Sequence, residues 1–596
     1  MLERNSKLMT KKMFQYLIPS ILMIFAMQFG SLLDGVFVGN LIGNDALTAS
    51  SLALPVLFIA QLPGFAIGTG GSIVVATLLG KREVKKAKTA FSLSMILAVG
   101  ISLIFAVLSF FVSEPLAGLF CPSELSEMGR SYKELGRQYI FIYLLTGPIV
   151  GFALALACFV GVDNNPRIAS LMYIVANVVK VASEFIFIKY LGMGMYGAAL
   201  STGVGYLAGS LLVVFYIFSK KRLLSFSFKF EEPKRMLVDS LKASSSTALN
   251  LALTAIQMSI CNIFISKLID PNSVDILLFG VISNMVFVFD LFLGGVIQVI
   301  PNVCGVLYGE KDYYGIKKIT RLLYIINIAV TSILILALFI FPEFYCQIFG
   351  FDASVDPNRI KLFIRIFAFA FIPYEISKFN QMYYPTIEKN LPAYVTVVCR
   401  NLVLMLPLSL ILLHTNGLLG YFIGQLSAEV GTVIATYIFI FIYEKVKRLK
   451  KQGLFMVPST KGIDKYDVTV NNEPANASLL SQEIEEYALK HNVSVRDASM
   501  IALGAEEIVA NIIQYGYKIK NHHYYIDVTL KIVEDKMILT IKDDGIVFDP
   551  TQYQEHEEEF STSGILLVKK IVDKISYTRV LNTNNTSIEI YLKGAN

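Results

Sequence analysis

The fold is decided first by residues 13–44, which read MFQYLIPSILMIFAMQFGSLLDGVFVGNLIGN. Asp34 is the one charged side chain in this stretch, and the next charge along the chain is Asp45. A helix needs about 20 apolar residues to cross a bilayer. The stretch therefore predicts a first transmembrane helix. Because the apolar run continues past Pro19 without a convincing cleavage site, it does not indicate a removed signal peptide.

The chain keeps this character to about residue 450 and changes beyond it. Of its 596 residues, 55% are hydrophobic and 16% are charged, whereas soluble domains are about a quarter charged. Between residues 13 and 79 the only charged side chains are Asp34 and Asp45, whereas charges recur throughout the part beyond about residue 475. The distribution predicts a long membrane part and a water-soluble tail, and it excludes a disordered chain, a collagen and a secreted disulfide scaffold. The six cysteines lack the spacing of a metal site or of a disulfide framework.

The apolar runs predict about twelve transmembrane helices in two sets of six. The first set lies at 13–34, 47–79, 90–112, 138–160, 168–188 and 197–218. The second set lies at 243–265, 276–307, 319–341, 362–384, 392–413 and 419–442. The predicted fold class is an all-α polytopic membrane protein with two six-helix lobes, followed by a soluble α+β two-layer domain. The expected domains are the N-lobe 1–222, the C-lobe 223–451, a linker 452–474 and the tail 475–596.

Basic residues in the short connections predict the orientation of these helices. They cluster before the first span and after the second, sixth, eighth and twelfth spans, whereas the connection 35–46 has none. Because lysine and arginine favour the cytoplasmic side, both termini are expected in the cytoplasm of a multi-pass protein held in membrane lipid. The same clustering accounts for the net charge of +6, which therefore does not indicate nucleic-acid binding.

An internal repeat connects the two sets of helices. Gly80-Lys81-Arg82-Glu83 closes the second span, and Gly309-Glu310-Lys311-Asp312 closes the eighth. Duplicated lobes around a central cavity are a common transporter architecture. The repeat therefore favours a transporter over a purely structural membrane protein.

Several short runs in the first lobe resemble those of the multidrug and toxic compound extrusion (MATE) transporters. They are Pro19, LDGVFVG at 33–39, LP at 54–55, GTG at 68–70, LG at 79–80 and GMGMYGAA at 192–199, and Arg400 supports them from the second lobe. The resemblance covers roughly residues 10–445. It implies export of small organic, often cationic, compounds across a bacterial plasma membrane by antiport against protons or sodium ions.

Charged side chains inside the spans are candidates for ion coupling, because burying an ionisable group in a membrane is costly. Asp34 matches the position of the family's cation-linked aspartate. Asn177, Lys180 and Glu184 share one face of the fifth span, where the family often has two asparagines and an aspartate. We expect Lys180 and Glu184 to pair at i,i+4. Alternatively, Lys180 acts as a tethered cation that alters the coupling, and either reading leaves the ion open.

The second lobe has its own intramembrane charges. Glu375 is a candidate for cation or substrate coupling, and it lies one turn from Lys378, with which we expect it to pair. We expect Arg400 to brace a helix end or a lobe interface. The remaining charges inside the spans are Asp290 and Glu429.

The tail has the pattern of a small α+β domain. Glycines and prolines at 452–474 indicate the linker. Amphipathic helices are predicted at 476–491 and 496–515, with a third helix at 564–574. Alternating patterns predict strands at 524–530, 537–541, 575–581 and 587–592.

The chain has no Walker-type phosphate loop, but the tail suggests a different nucleotide site. Glu507 and Asn511 lie one turn apart, where the carboxylate could polarise water as a catalytic base and the amide could hold Mg²⁺. Asp543 could accept a hydrogen bond from an adenine amino group, and Gly545 allows close approach. Gly564 opens a helix whose N-terminus could receive phosphate oxygens.

This order of motifs resembles the histidine-kinase-like ATPase fold, and specifically the anti-sigma-factor serine kinases. The resemblance implies ATP with Mg²⁺ as ligands, and weak ATPase or serine/threonine kinase activity. The third motif, Ser561-Thr562-Ser563-Gly564, keeps one glycine where the family has several. A degenerate fold that binds a cytoplasmic regulatory protein therefore stays open as an alternative.

Two functions from different classes fit these residues. The first is a secondary-active multidrug efflux transporter with a cytoplasmic ATP-binding regulatory domain. The second is a membrane signalling protein, in which the transporter-like part senses a ligand and the tail acts as a kinase or as a sequestering module.

Overall fold

The structure is a computed structural model of the chain. It describes residues 2–121, 131–219, 222–269, 274–283, 285–348, 357–447, 452–458, 465–519, 522–533, 535–553 and 563–592. Ser561 and Thr562 of the third tail motif lie outside these residues. The chain divides into two compact units. One consists of Met1–Gln15, Tyr313–Lys318 and Ser459–Asn596, and the other of Tyr16–Asp312 and Ile319–Pro458.

The first lobe is helical, as its apolar runs predict. Its helices are α1 (Lys7–Phe37), α2 (Asn44–Gly80), α3 (Val84–Phe120), α4 (Tyr132–Leu145), α5 (Gly147–Val162), α6 (Pro166–Phe185), α7 (Gly194–Leu211) and α8 (Val213–Ile217). Single π-helical turns extend two of them, at Val38–Ile42 and Ile186–Tyr190. Pro166 begins α6, where its missing N–H costs no hydrogen bond.

The second lobe repeats this arrangement with more interruptions. Its helices are α9 (Pro233–Leu268), α10 (Val274–Ser283), α11 (Met285–Val299), α12 (Gly305–Gly309), α13 (Tyr313–Ile340), α14 (Pro342–Ile348), α15 (Pro357–Phe369), α16 (Phe371–Thr386), α17 (Asn390–Val398) and α18 (Met405–Val446). Its π-helical segments are Ile300–Cys304 and Cys399–Leu404.

The number of spans agrees with the expected architecture once broken helices are counted. Within the described ranges, nine helical segments are long and apolar enough to cross a membrane, and α4 with α5 makes a tenth across a 54° bend. One of the nine, Asn390–Val446, contains two predicted spans, because Gly417 at φ 63° interrupts it. The span predicted at 362–384 corresponds to α15 and α16. These elements account for about twelve spans.

The glycines of the internal repeat meet in the folded chain. Gly80 ends α2 and Gly309 ends α12. A Cβ atom on Gly309 would lie 3.0 Å from the Cα of Gly80, so these two helix ends pack backbone to backbone. Small residues permit such close approach between membrane helices. The repeated motif therefore joins one lobe to the other.

The tail is a five-stranded antiparallel sheet with helices. Its elements are β1 (Lys465–Asn471), α19 (Ala475–Lys490), α20 (Val495–Tyr515), β2 (Tyr525–Val533), β3 (Lys536–Asp543), α21 (Ser563–Ile571), β4 (Lys574–Val580) and β5 (Thr583–Tyr591). The strand order is β1-β2-β3-β5-β4. The register pairs Val528 with Ile541, and Leu539 with Ile588.

The structure of the tail confirms the predicted helices and strands. Ser494 caps α20 by accepting a hydrogen bond from the backbone N–H of Asp497, as expected at a helix start. The buried core joins apolar side chains of α19 and α20, such as Ile484 and Ile501, to those of the sheet. One element differs from the prediction, because β1 lies inside the segment 452–474 that was interpreted as a linker. Val468 and Val470 bury one face of this short strand.

Candidate functional site

The N-lobe brings three of the predicted coupling residues together. Asp34 is on α1, and Lys180 and Glu184 are on α6. The Lys180 ammonium forms an ion pair with the Asp34 carboxylate. Glu184 is only 1% exposed and interacts electrostatically with both. The prediction that Lys180 pairs mainly with Glu184 is therefore wrong. The Lys180 ammonium pairs instead with Asp34, a carboxylate on another helix.

Asn177 lies one turn before Lys180 but has a different role. Its amide nitrogen donates a hydrogen bond to the carbonyl oxygen of Tyr173 at 2.9 Å. The side chain lies directly against Gly30 of α1, where a Cβ atom would overlap the amide. Asn177 therefore packs α6 on α1 and holds Lys180 beside Asp34.

Phenol and amide groups surround this N-lobe charge cluster (Asp34, Lys180 and Glu184). Tyr139, Tyr143 and Tyr206 are near enough to interact electrostatically with its members. The amide of Gln61 donates to the Tyr143 hydroxyl at 3.1 Å. The sequence analysis did not single out these residues, since tyrosine is frequent throughout the chain. Their approach to the charges depends on how α2, α4 and α7 pack.

The C-lobe contains a second cluster of the same composition. Lys378 on α16 forms an ion pair with Asp290 on α11. Glu375 is completely buried and interacts electrostatically with both Lys378 and Asp290. The expected main pairing of Glu375 with Lys378 is therefore wrong, for the same reason as in the N-lobe. Asp290, Glu375 and Lys378 are called the C-lobe charge cluster below.

A further ion pair stands beside the C-lobe cluster. Arg400 Nε lies 2.7 Å from Glu429 Oε1, and both side chains are largely buried. The guanidinium also stacks over the ring of Tyr374, at 4.3 Å from its centroid, a favourable cation–π geometry. Arg400 therefore braces helices inside the C-lobe, linking Cys399–Leu404 to α18 and α16.

In the tail, Asp543 is a buried carboxylate with well-defined hydrogen bonds. It is 3% exposed, and its Oδ1 accepts hydrogen bonds from the Gly545 N–H at 2.8 Å and from the Asn584 amide at 2.9 Å. Burial raises the pKa of Asp543 to about 6. A Cβ atom on Gly545 would lie 2.5 Å from the carbonyl oxygen of Gly516, so only glycine fits there.

The other predicted nucleotide residues converge on α20 and the start of α21. The Asn511 amide donates to the carbonyl oxygen of Glu507 at 2.7 Å. Gly564 begins α21 against the Glu507 carboxylate, which a Cβ atom would overlap. An anion at a helix N-terminus is favourable, and here the carboxylate takes that place. The amide of Asn511, the carboxylate of Asp543 and the N-terminus of α21 are groups that fit a nucleotide. For phosphate to reach the N-terminus of α21, the Glu507 carboxylate would have to turn away from it.

Two regions of the chain match known protein families. Residues 19–186 match the MatE family, and residues 470–591 match the histidine kinase-like ATPase domain. Curated relatives of the membrane part include the multidrug export protein MepA of Staphylococcus saprophyticus, which is 22% identical over 349 residues, or 58% of this chain and 74% of that protein. MepA of Staphylococcus haemolyticus is 23% identical over 55% of this chain and 69% of its own length.

Solved structures support the fold of the same part. A MATE transporter in complex with MaL6 gives a TM-score of 0.66 at 19% identity, covering 74% of this chain and 97% of that one. A MOP superfamily transporter from Pyrococcus furiosus gives 0.64 at 19%, with the same coverage. The chain is thus a two-lobe polytopic membrane protein with a soluble α+β tail. Its membrane part has the fold of the solved MATE transporters, and its tail matches the histidine kinase-like ATPase domain.

Proposed function

We propose that the membrane part exports small organic, mainly cationic, compounds from the cytoplasm of a bacterial cell by antiport against protons or sodium ions. In this proposal both termini lie in the cytoplasm, and the tail is a regulatory domain that binds ATP with Mg²⁺. The observation that carries the coupling is the charge balance of the N-lobe cluster, in which two carboxylates share one lysine.

The charge balance gives the cluster a reason to take up a cation. Lys180 neutralises Asp34, and the nearly buried Glu184 leaves a net charge of −1 when both acids are ionised. An uncompensated charge is expensive in a low-dielectric interior. One proton or one sodium ion removes that cost, so ion uptake and release would change the relative stability of the transporter's conformations. Lys180 thus acts as the tethered cation, and Glu184 receives the mobile one.

Purified chain in proteoliposomes tests the transport half. A fluorescent organic cation is followed while the proton and sodium gradients are imposed separately, first without ATP. We expect transport with one of the two gradients. Glu184→Gln should remove the dependence on that gradient, because it leaves the neutral Asp34–Lys180 pair. Lys85→Gln, on a side chain 86% exposed, is the matched control. Gradient dependence that survives in Glu184→Gln contradicts the proposal.

The regulatory half is supported by the tail residues. Asp543 and Gly545 would hold adenine, the N-terminus of α21 at Gly564 would receive phosphate, and Asn511 would bind Mg²⁺. Bound MgATP would place a phosphoryl group near Glu507, which could act as a base in weak ATPase or kinase chemistry. A binding equilibrium alone can shift a two-state transporter about 5- to 150-fold, so hydrolysis is not needed to regulate it.

Titration of the full chain with a fluorescent ATP analogue, with and without Mg²⁺, tests this half. Asp543→Ala and Asn511→Ala should both weaken binding, and only the second should reduce the contribution of Mg²⁺. Equal binding by the wild type and both variants would leave the tail as a protein-binding module.

A further inference from the structure

The first residues of the chain lie against the edge strand β1 of the ATPase domain. Residues 2–12, here called the N-terminal arm, belong to the same compact unit as the tail. The Thr469 N–H of the edge strand β1 donates to the Glu3 carbonyl at 3.2 Å, and the Asn5 N–H donates to the Thr469 hydroxyl at 3.1 Å. An extended segment that adds to an exposed strand edge is a common mode of specific docking.

Side chains of the arm fix its position on this edge. Leu2 packs on the core of the tail, and its N–H donates to Glu483 at 3.1 Å. Arg4 is 9% exposed and lies 2.7 Å from Asp527, whose side chain is 2% exposed. Breaking one side of a buried ion pair is strongly destabilising. The arm is therefore a specific docking element of the ATPase domain.

The end of the arm contacts the nucleotide-site loop. Lys11 Nζ lies 2.7 Å from Asp544, and Lys12 Nζ lies 3.6 Å from the same carboxylate, which is 3% exposed. Lys12 also donates to the carbonyl oxygen of Asn582 at 3.1 Å. Asp544 directly follows Asp543. Two lysines of the arm therefore hold the residue next to the one assigned to adenine.

We propose that the N-terminal arm transmits nucleotide occupancy from the Asp543–Asp544 loop to helix α1, through the two lysines on Asp544. The proposal rests on ATP binding by the tail. Lys11 and Lys12 belong to α1, which continues to Phe37 and carries Asp34. Adenine at Asp543 changes the position or mobility of Asp544, and the two lysines follow it. The nucleotide then biases the helix that contributes Asp34 to the N-lobe charge cluster.

Coupling of this kind must be reciprocal, and reciprocity gives the test. In the full chain in lipid nanodiscs, the affinity for a fluorescent ATP analogue is measured with and without the transported cation. We expect the cation to change that affinity about 5-fold or more in the wild type. Lys11→Gln with Lys12→Gln should bind the analogue but lose this change. Lys85→Gln should keep it.

A charge exchange and a cross-link complete the test. Lys11→Asp combined with Asp544→Lys should restore part of the cation effect that Asp544→Lys alone removes. Asn5→Cys with Thr469→Cys should form an intramolecular disulfide in the full chain, and each single variant should not. Failure of this cross-link, or an unchanged cation effect in the double glutamine variant, overturns the inference alone. A wild type that binds no nucleotide overturns the regulatory proposal as well.

Discussion

Each lobe contains a cluster of two carboxylates and one lysine, but the order of these residues along the sequence differs between the lobes. In the N-lobe, Lys180 pairs with Asp34, and the second carboxylate, Glu184, follows four residues after the lysine. In the C-lobe, Lys378 pairs with Asp290, and the second carboxylate precedes the lysine by three residues. The repeat therefore preserves the composition of a buried cluster and not the order of its residues. What the fold retains is two carboxylates for one lysine.

The two charge clusters have the same composition, but the residues that surround them differ. The N-lobe cluster is surrounded by neutral phenols and by the amide of Gln61. The C-lobe cluster adjoins the Arg400–Glu429 ion pair, and Lys378 lies 5.2 Å from the centroid of the Tyr374 ring. The Tyr374 ring is an extra partner for the C-lobe lysine, and Arg400 is an extra cation for the carboxylate of Glu375. We therefore expect the N-lobe to respond more strongly to loss of its carboxylate.

The largest difference should appear in transport. Asp34→Asn should lower gradient-driven export by a factor within the usual range of coupling, about 5- to 150-fold, because Lys180 is left with Glu184 alone. Asp290→Asn should lower it less, since Lys378 keeps Glu375 and the Tyr374 ring. Dye efflux from proteoliposomes at matched protein density measures both. Equal losses would mean that the two lobes couple equivalently.

Removing the lysines should have the next largest effect, which is a loss of folding stability. Lys180→Met leaves two buried carboxylates without their cation and should cost about 3–5 kcal/mol. Lys378→Met should cost less, because Arg400 also interacts with Glu375. Thermal unfolding in detergent gives the comparison.

Double-mutant cycles show which partner matters to the N-lobe lysine. Asp34→Asn with Lys180→Met should be milder than the sum of the single variants. The same cycle with Glu184→Gln should show weaker coupling, because Asp34 is the direct partner. Additive losses in the first cycle would contradict the ion pair.

The Arg400–Glu429 ion pair of the C-lobe should contribute a smaller amount to folding stability. Arg400→Met leaves one buried carboxylate, Glu429, without its cation, whereas Lys180→Met leaves two, so we expect a cost at the lower end of the range for a broken buried pair, about 3 kcal/mol. Glu429→Gln keeps an acceptor for the guanidinium and should cost less. If Arg400→Met leaves the melting temperature unchanged, the Arg400–Glu429 ion pair does not stabilise the C-lobe and does not distinguish the two lobes.

The smallest effect concerns the buried carboxylate of Asp543, which accepts hydrogen bonds from a backbone N–H and from the Asn584 amide. Asp543 has a pKa raised to about 6 by burial, so it takes up a proton as the pH falls through 6. The proton competes with the adenine amino group, so affinity for the ATP analogue should fall below pH 6, by at most about tenfold per unit. Asp543→Asn should flatten this profile. A wild-type affinity that is constant from pH 7.5 to 5 would contradict the assignment.

Much of the architecture could be predicted from the sequence, because it depends on local patterns. Apolar runs of bilayer length and the Gly80 and Gly309 repeat predicted the two lobes. Amphipathic periodicity predicted α19 and α20, and alternation predicted four of the five strands. The strand β1 was missed although Tyr466, Val468 and Val470 alternate with polar residues, because the glycines and prolines around it led to the whole segment being interpreted as a linker. Asp543, Gly545 and Gly564 could be proposed as nucleotide-site residues from the sequence because their motifs lie close to a strand end or a helix start.

The sequence by itself determined which charges are buried, and tertiary structure alone decided which of them meet. Helical spacing favours partners three or four residues apart, so it paired Lys180 with Glu184 and Lys378 with Glu375. In the folded chain each lysine reaches a carboxylate on another helix, 146 and 88 residues away in sequence. The lysines of the N-terminal arm reach Asp544 in the same way. Electrostatic pairing depends on distance in space, and that distance is set by how helices and strands pack.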